Sequence, residues 1–258
     1  MANNRVKQIW ASGKAVVNGW LVVPSGLTAE MIAQCGFDSV TVDMQHGVHD
    51  YISMIECFQA MNGQFVTPMV RVPWNEPGIV GKVLDGGAYG VICPMINTAQ
   101  QAKNLVCYAK YPPAGTRSNG PIRAGIGTPG SYQKTANDEV IVLPMIETKI
   151  AVENMESILD VQGIDGVYIG PTDLGLSYGI GPKVDHILPE ILNIYDKIVN
   201  ECDKRKLYPG IHCGDAEGAV RAINMGFKFV SLSDEIGLMS SYAKRQVNQI
   251  RKDSDGKA

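Results

Sequence analysis

The chain has 258 residues, 45% of them hydrophobic, which supports a sizeable core and argues against a disordered chain. Its 23 Lys+Arg against 26 Asp+Glu leave a formal charge of -3, so no basic field invites nucleic acid. No apolar run approaches the roughly 18 residues that a membrane span needs. The first residues carry no signal-peptide or transit pattern, so a soluble, cytoplasmic protein without membrane partners is expected.

Apolar runs of strand length alternate with helix-period segments along the chain. A strand at Asn18–Ser25 is followed by a helix over Leu27–Cys35, and a strand at Ser39–Met44 by a helix over Tyr51–Met61. Strand Phe65–Val72 precedes helix Gly78–Asp85, and strand Gly90–Ile96 precedes helix Ala99–Lys110. Strand Val140–Glu147 leads into helix Ile150–Asp160, and strand Gly166–Pro171 leads to helix Leu188–Lys206. Strand Tyr208–Gly214, helix Ala216–Met225, strand Phe229–Asp234 and helix Ile236–Lys252 complete the series. The last helix sets Ile236, Met239, Ala243, Val247 and Ile250 along one stripe.

Several strands, such as Val140-Ile-Val-Leu-Pro-Met-Ile146, are almost continuously apolar, as strands covered on both faces are. Eight of them alternating with helices predict a single (β/α)8 TIM barrel spanning 1–258. An open doubly wound sheet is disfavoured, because Gly81, Gly86, Gly87 and Gly90 form no dinucleotide-binding turn after a strand. The Gly/Pro-punctuated segment 111–139 is expected to lie over the barrel mouth as a lid or rim, the alternative being a structural or oligomer-contact loop.

The six cysteines (Cys35, Cys57, Cys93, Cys107, Cys202, Cys213) are scattered and make no Cys-x-x-Cys pair, so they read as small core residues. In a barrel of this type the chemistry sits where strands end. Glu147 and Asp173 are 26 residues apart, one helix plus one strand, and so end neighbouring strands. Two carboxylates side by side repel unless a cation or a shared proton intervenes; hard oxygen donors in a half-open site suit Mg2+ or Mn2+. The bland alternative is that Glu147 caps a helix and Asp173 pins a turn. Arg71 ends an apolar strand and suits either a carboxylate or enolate oxygen, or a rim salt bridge. His46, three residues after Asp43, is either a proton shuttle or a solvated side chain. No lysine lies in a strand interior where it could form an imine, and no Gly-x-Ser-x-Gly elbow occurs, so a metal route to an enolate is preferred.

Several segments together resemble the HpcH/HpaI aldolase/citrate lyase family, in particular its metal-dependent (class II) pyruvate aldolases. They are Gly36-Phe-Asp-Ser-Val-Thr-Val-Asp-Met-Gln-His46, Val70-Arg-Val-Pro-Trp-Asn-Glu-Pro77, Leu84-Asp-Gly-Gly-Ala88, Tyr111-Pro-Pro-Ala-Gly-Thr-Arg117, Met145-Ile-Glu-Thr148 and Gly163-Ile-Asp-Gly-Val-Tyr-Ile-Gly-Pro-Thr-Asp-Leu174. The resemblance implies reversible cleavage of a 4-hydroxy-2-oxo acid to pyruvate and an aldehyde, through a metal-bound pyruvate enolate. It implies Glu147 and Asp173 as ligands of a divalent ion (Mg2+, Mn2+ or Co2+), and Arg71 as the group that stabilises the enolate oxygen. It implies His46 as the group moving protons at the aldehyde-derived hydroxyl, with Asp85 orienting it. Gly170, Pro171, Thr172 and Asp173 would hold the pyruvate carboxylate, with Asp43 and Trp20 lining the pocket. It also implies a homohexamer, a trimer of dimers that exchange their final helices. Gln45 and Met145 stand where a better-known branch carries glutamate and glutamine. Within the same family, a citrate lyase β-type enzyme acting on CoA thioesters is the alternative, and a non-catalytic acid-binding barrel is a further one.

Overall fold

The computed structural model describes residues 4–126 and 132–255. Eight parallel strands close into a barrel in chain order: β1 (Val16–Leu21), β2 (Ser39–Asp43), β3 (Thr67–Arg71), β4 (Gly90–Cys93), β5 (Ile141–Ile146), β6 (Gly166–Ile169), β7 (Tyr208–Cys213) and β8 (Phe229–Leu232). The register fixes which side chains meet: Asp43 lies beside Arg71, Asn18 beside both Ser39 and Ser231, and His212 beside Ser231.

Alternation along each strand divides the core in two. One set of side chains, including Val40, Val42, Val70, Val91, Val142, Val167 and Val230, packs outward under the helices. The other, including Trp20, Met69, Ile92, Leu143, Met145, Tyr168 and Phe229, fills the barrel. A first helix not foreseen in the sequence, α1 (Arg5–Ala11), closes the strand-start end. Its Trp10 stacks on Tyr208 at 4.3 Å and donates its indole N–H to the Lys228 carbonyl at 2.8 Å.

All eight predicted strands form, together with helices α2 (Gly26–Ala33), α3 (Tyr51–Ala60), α4 (Pro77–Asp85), α5 (Ala99–Ala109), α10 (Pro189–Lys204), α11 (Ala216–Met225) and α12 (Glu235–Asp255). The helix expected over 150–160 is broken at Asn154 into α7 (Lys149–Glu153) and α8 (Met155–Leu159). Two short helices were not expected, α6 (Tyr132–Glu139) and α9 (Pro171–Ser177). Among the described residues no helix is long and apolar enough to cross a membrane.

The segment 111–139 requires a correction. Its described parts, 111–126 and 132–139, come after α5 and before β5, and so lie at the strand-start end of the barrel, not over the mouth. Lys110 donates to the Asn137 and Val140 carbonyls at 2.6 and 2.7 Å, and Arg123 donates to the Gly86 carbonyl at 2.8 Å. Arg117 donates to Asp85 at 2.7 Å and lies over the Tyr111 ring at 4.5 Å. Residues 127–131 of this segment lie outside the described residues.

One close approach is demanded by the barrel itself. A Cβ on Gly166, at the start of β6, would stand 1.8 Å from the Tyr208 carbonyl oxygen of β7. Neither strand can move without breaking the ladder, so we expect Gly166→Ala to lose roughly 2–4 kcal/mol of unfolding free energy in urea titration. A loss below about 0.5 kcal/mol, the range of an ordinary surface substitution, would show that the strands are not so tightly apposed.

Candidate active site

A cavity of about 580 Å3 opens at the strand-end face of the barrel. Trp20, Asp43, His46, Arg71, Glu147, Gly170, Pro171, Thr172 and Asp173 all line it, as do Met145, Tyr168, His212 and Asp234. Residues distant in sequence meet here because each follows or ends its own strand.

One wall is built around Asp43, only 1% exposed. Arg71 donates to it through Nε at 2.9 Å and Nη2 at 2.5 Å. The backbone N–H groups of Gln45 and His46 donate to Oδ1 at 3.0 and 3.3 Å, and Trp20 Nε1–H donates to Oδ2 at 3.3 Å. Burial works to raise the Asp43 pKa, but the Arg71 hydrogen bonds and charge, with the two backbone donors, outweigh it and hold the carboxyl below its ordinary value. The guanidinium also lies over the Trp20 ring at 4.9 Å. The salt-bridge reading of Arg71 is therefore correct, and the same bridge aims the guanidinium into the cavity. His46 is exposed at the rim.

Across the cavity, Glu147 follows β5 and is 2% exposed. Its Oε1 accepts from the Met95 backbone N–H at 2.7 Å. Its Oε2 lies against Gly170, where a Cβ would come within 2.2 Å. Burial pushes the Glu147 carboxyl up to about 7; the Met95 N–H opposes this, the Asp173 charge adds to it and Arg71 opposes it. Gly170 caps α9, Pro171 occupies its first turn, and Thr172 and Asp173 follow at the same helix end. Among the described residues no group of three or more His, Cys, Asp or Glu side chains is placed to hold a metal ion, and the carboxylate whose charge acts on Glu147 is Asp173.

Asp85 is the one expected site residue that does not reach this cavity. It ends α4 at the opposite end of the barrel, where it accepts from Arg117. Nothing within one chain brings it to His46. His49 turns away from the cavity: it is buried, with Nδ1 3.4 Å from the Ser53 hydroxyl, while Asp50 caps α3.

Two further residues line the cavity: His212, whose place near the end of β7 points to the pocket already in the sequence, and Tyr168, which carries little signal there. Tyr168 is buried within the barrel and its hydroxyl lies 3.1 Å from His212 Nδ1. His212 also meets the Trp20 ring edge-on at 4.9 Å. Burial lowers the His212 pKa to about 4, the Arg71 charge assists, and Asp234 and Asp43 oppose.

A closed barrel whose strand-end cavity gathers an aspartate-held arginine, the buried Glu147 and the exposed Asp173 has the layout of a barrel enzyme. The sequence comparison makes this specific: residues 20–240 match the HpcH/HpaI aldolase/citrate lyase family, and the chain belongs to it. It is 36% identical over 248 residues to a hydroxypyruvate/pyruvate aldolase of Rhizorhabdus wittichii, covering 96% of this chain and 99% of that relative. It is 32% identical to a 4-hydroxy-2-oxo-heptane-1,7-dioate aldolase of Salmonella dublin, covering 93% of this chain and 92% of the other. A solved HpcH/HpaI aldolase/citrate lyase family protein from Burkholderia cenocepacia J2315 superposes with a TM-score of 0.90 at 26% identity, covering 96% of this chain and all (100%) of that one.

The depressed His212 pKa has a consequence for stability. Between pH 6.5 and about 4 the unfolded chain binds a proton at this residue that the folded chain does not, so stability is lost as pH falls through that window. Glu147 acts in the opposite sense, so the test is differential: wild type relative to His212→Gln should lose unfolding free energy from pH 6.5 down to 4. A constant difference across that range would contradict a neutral, buried imidazole.

Proposed function

We propose that this chain is a divalent-metal-dependent aldolase that reversibly cleaves a 4-hydroxy-2-oxo acid into pyruvate and an aldehyde. The observation that supports this best is Arg71, held by Asp43, in one cavity with Glu147 and Asp173. The names of the aldolase relatives point the same way. The citrate lyase β-type alternative gains nothing from its solved representatives, which share 14% identity and so resemble this chain in fold alone.

The donor set suits a hard divalent cation. Glu147 has one oxygen committed to Met95 and the other facing Gly170, and its charge is disfavoured by burial and by Asp173, a conflict that a bound cation would relieve. Glu147 and Asp173 would hold Mg2+, Mn2+ or Co2+, which when bound would supply Lewis-acid polarisation of the substrate's C2 ketone. The protein's own groups do the rest. The Thr172 and Asp173 backbone N–H groups bind the substrate carboxylate at the start of α9. Arg71 donates to the C2 oxygen as charge develops there when the C3–C4 bond breaks. His46 accepts the proton of the C4 hydroxyl in cleavage and returns it in condensation.

We assign α12 a docking role against a second copy, in a hexamer built as a trimer of dimers. Its apolar Ile236, Met239, Val247 and Ile250 are 43%, 68%, 45% and 67% exposed. Any orientation of His46 by Asp85 would then come from a neighbouring subunit. Light scattering should give an oligomer; a monomer at micromolar concentration would contradict this.

Arg71→Ala should lose on the order of 3 kcal/mol of transition-state stabilisation in a pyruvate-forming assay, as expected for losing an oxyanion donor. Near-normal turnover would remove Arg71 from the chemistry. Glu147→Gln should weaken Mn2+ binding at least about tenfold in a paramagnetic-resonance titration, since a neutral amide is a much poorer ligand for a hard cation. Unchanged binding would remove the proposed ligand pair.

A further inference from the structure

A file of buried polar side chains crosses the barrel and ends at His212. Asn18, Ser39, Thr41 and Ser231 are fully buried, at 0% exposure. The Asn18 carboxamide oxygen accepts from the Ser39 and Thr41 hydroxyls at 2.7 and 3.1 Å. Its NH2 group is thereby directed to Ser231, to which it donates at 2.9 Å. Ser231 in turn acts on the Tyr168 hydroxyl, which lies 3.1 Å from His212 Nδ1.

The direction of the last bond follows from the donor inventory. Tyr168 has His212 Nδ1 as its hydrogen-bond partner among the described residues. The more acidic phenol donates to the more basic ring nitrogen, so Nδ1 is the acceptor. The imidazole is neutral, and its single proton therefore sits on Nε2. Nε2 has no protein partner among the described residues and is open to the cavity that His212 lines.

Asp234 completes the local chemistry. It lines the same cavity just beyond β8, its charge acts on the His212 ring, and its Oδ1 accepts from the Gly237 N–H at 2.6 Å. The second oxygen takes no donor among the described residues. An N–H donor beside a carboxylate acceptor matches a hydroxyl group, which can accept from the first and donate to the second. It disfavours a carboxylate, which Asp234 would repel, and an alkyl group, which would leave both unpaired.

We propose that His212, held as the Nε2–H tautomer by Tyr168, determines acceptor specificity by donating a hydrogen bond to a hydroxyl oxygen on the aldehyde-derived part of the substrate. Tyr168 is a positioning residue acting through His212. This rests on the aldolase reading above and names the kind of aldehyde that the site takes: one bearing a hydroxyl next to the carbonyl carbon.

The test compares two substrates of nearly equal size, cleaved by the enzyme with Mn2+. One is 4,5-dihydroxy-2-oxopentanoate, the adduct of pyruvate and glycolaldehyde. The other is 4-hydroxy-2-oxohexanoate, the adduct of propionaldehyde, with a methyl group where the first has a hydroxyl. Wild type should favour the first in kcat/KM by at least about tenfold. His212→Leu should abolish that preference, whereas His212→Gln, which retains an N–H donor of similar reach, should hold it within about threefold. Because the preference is a ratio, damage common to both substrates does not affect it. Two-bond proton–nitrogen spectra of histidine-labelled wild type should show the Nε2–H form for His212 and a mixture in Tyr168→Phe. A ratio unchanged in His212→Leu, or an Nδ1–H tautomer in wild type, overturns the proposal while leaving the aldolase reading intact. Failure of wild type to cleave either substrate overturns both.

Discussion

The bidentate pair between Asp43 and Arg71 is the contact on which the mouth of this barrel depends. It exists because β2 and β3 run in a register that sets these two residues side by side at their ends. Burying a carboxylate and a guanidinium is costly unless every remaining lone pair and donor is used. Here Asp43 is also served by two backbone N–H groups and the Trp20 indole, and the guanidinium covers the Trp20 ring. The pair thus fixes three things together: the turn that carries His46, the angle of Trp20, and the direction of the one permanent cation among the candidate catalytic groups. Its worth to the protein is preorganisation of charge more than stability.

The two ends of the barrel divide the work. At the strand-end face the interior is polar and holds one carboxylate, Glu147, whose charge is disfavoured by burial, as functional sites tend to do. At the strand-start face α1 and the segment 110–126 contribute tryptophan stacking, cation–ring contacts and the ion pair of buried Arg117 with the partly exposed Asp85. Asp85 and Arg117 belong to that second face within the chain, whatever they do toward a neighbouring subunit.

The barrel was legible because its strands are covered on both sides and so read as apolar runs, and the rim residues because strand ends are where barrel chemistry sits. Where expectation and structure part, the reasons are local. The segment 111–139 comes after a helix, α5, and one helix is enough to carry the chain from the barrel mouth to the other face. The α6 sequence Tyr-Gln-Lys-Thr-Ala-Asn-Asp-Glu is mostly polar and follows a glycine- and proline-rich stretch, so it showed no apolar stripe. The α9 helix opens on Gly170-Pro171 and reads as the end of a strand. Least legible was the polar file from Asn18 to His212. Its members are drawn from β1, β2, β6, β7 and β8, and no spacing along the chain announces that they meet.

The central claim is that this cavity makes the enolate of pyruvate with the help of a divalent ion. Deuterium exchange at the pyruvate methyl group, followed by proton NMR in D2O, tests it without any choice of aldehyde. After chelator treatment the protein should catalyse no exchange, and adding Mg2+, Mn2+ or Co2+ should restore it. Exchange that persists without metal, or that no metal restores, would contradict the account.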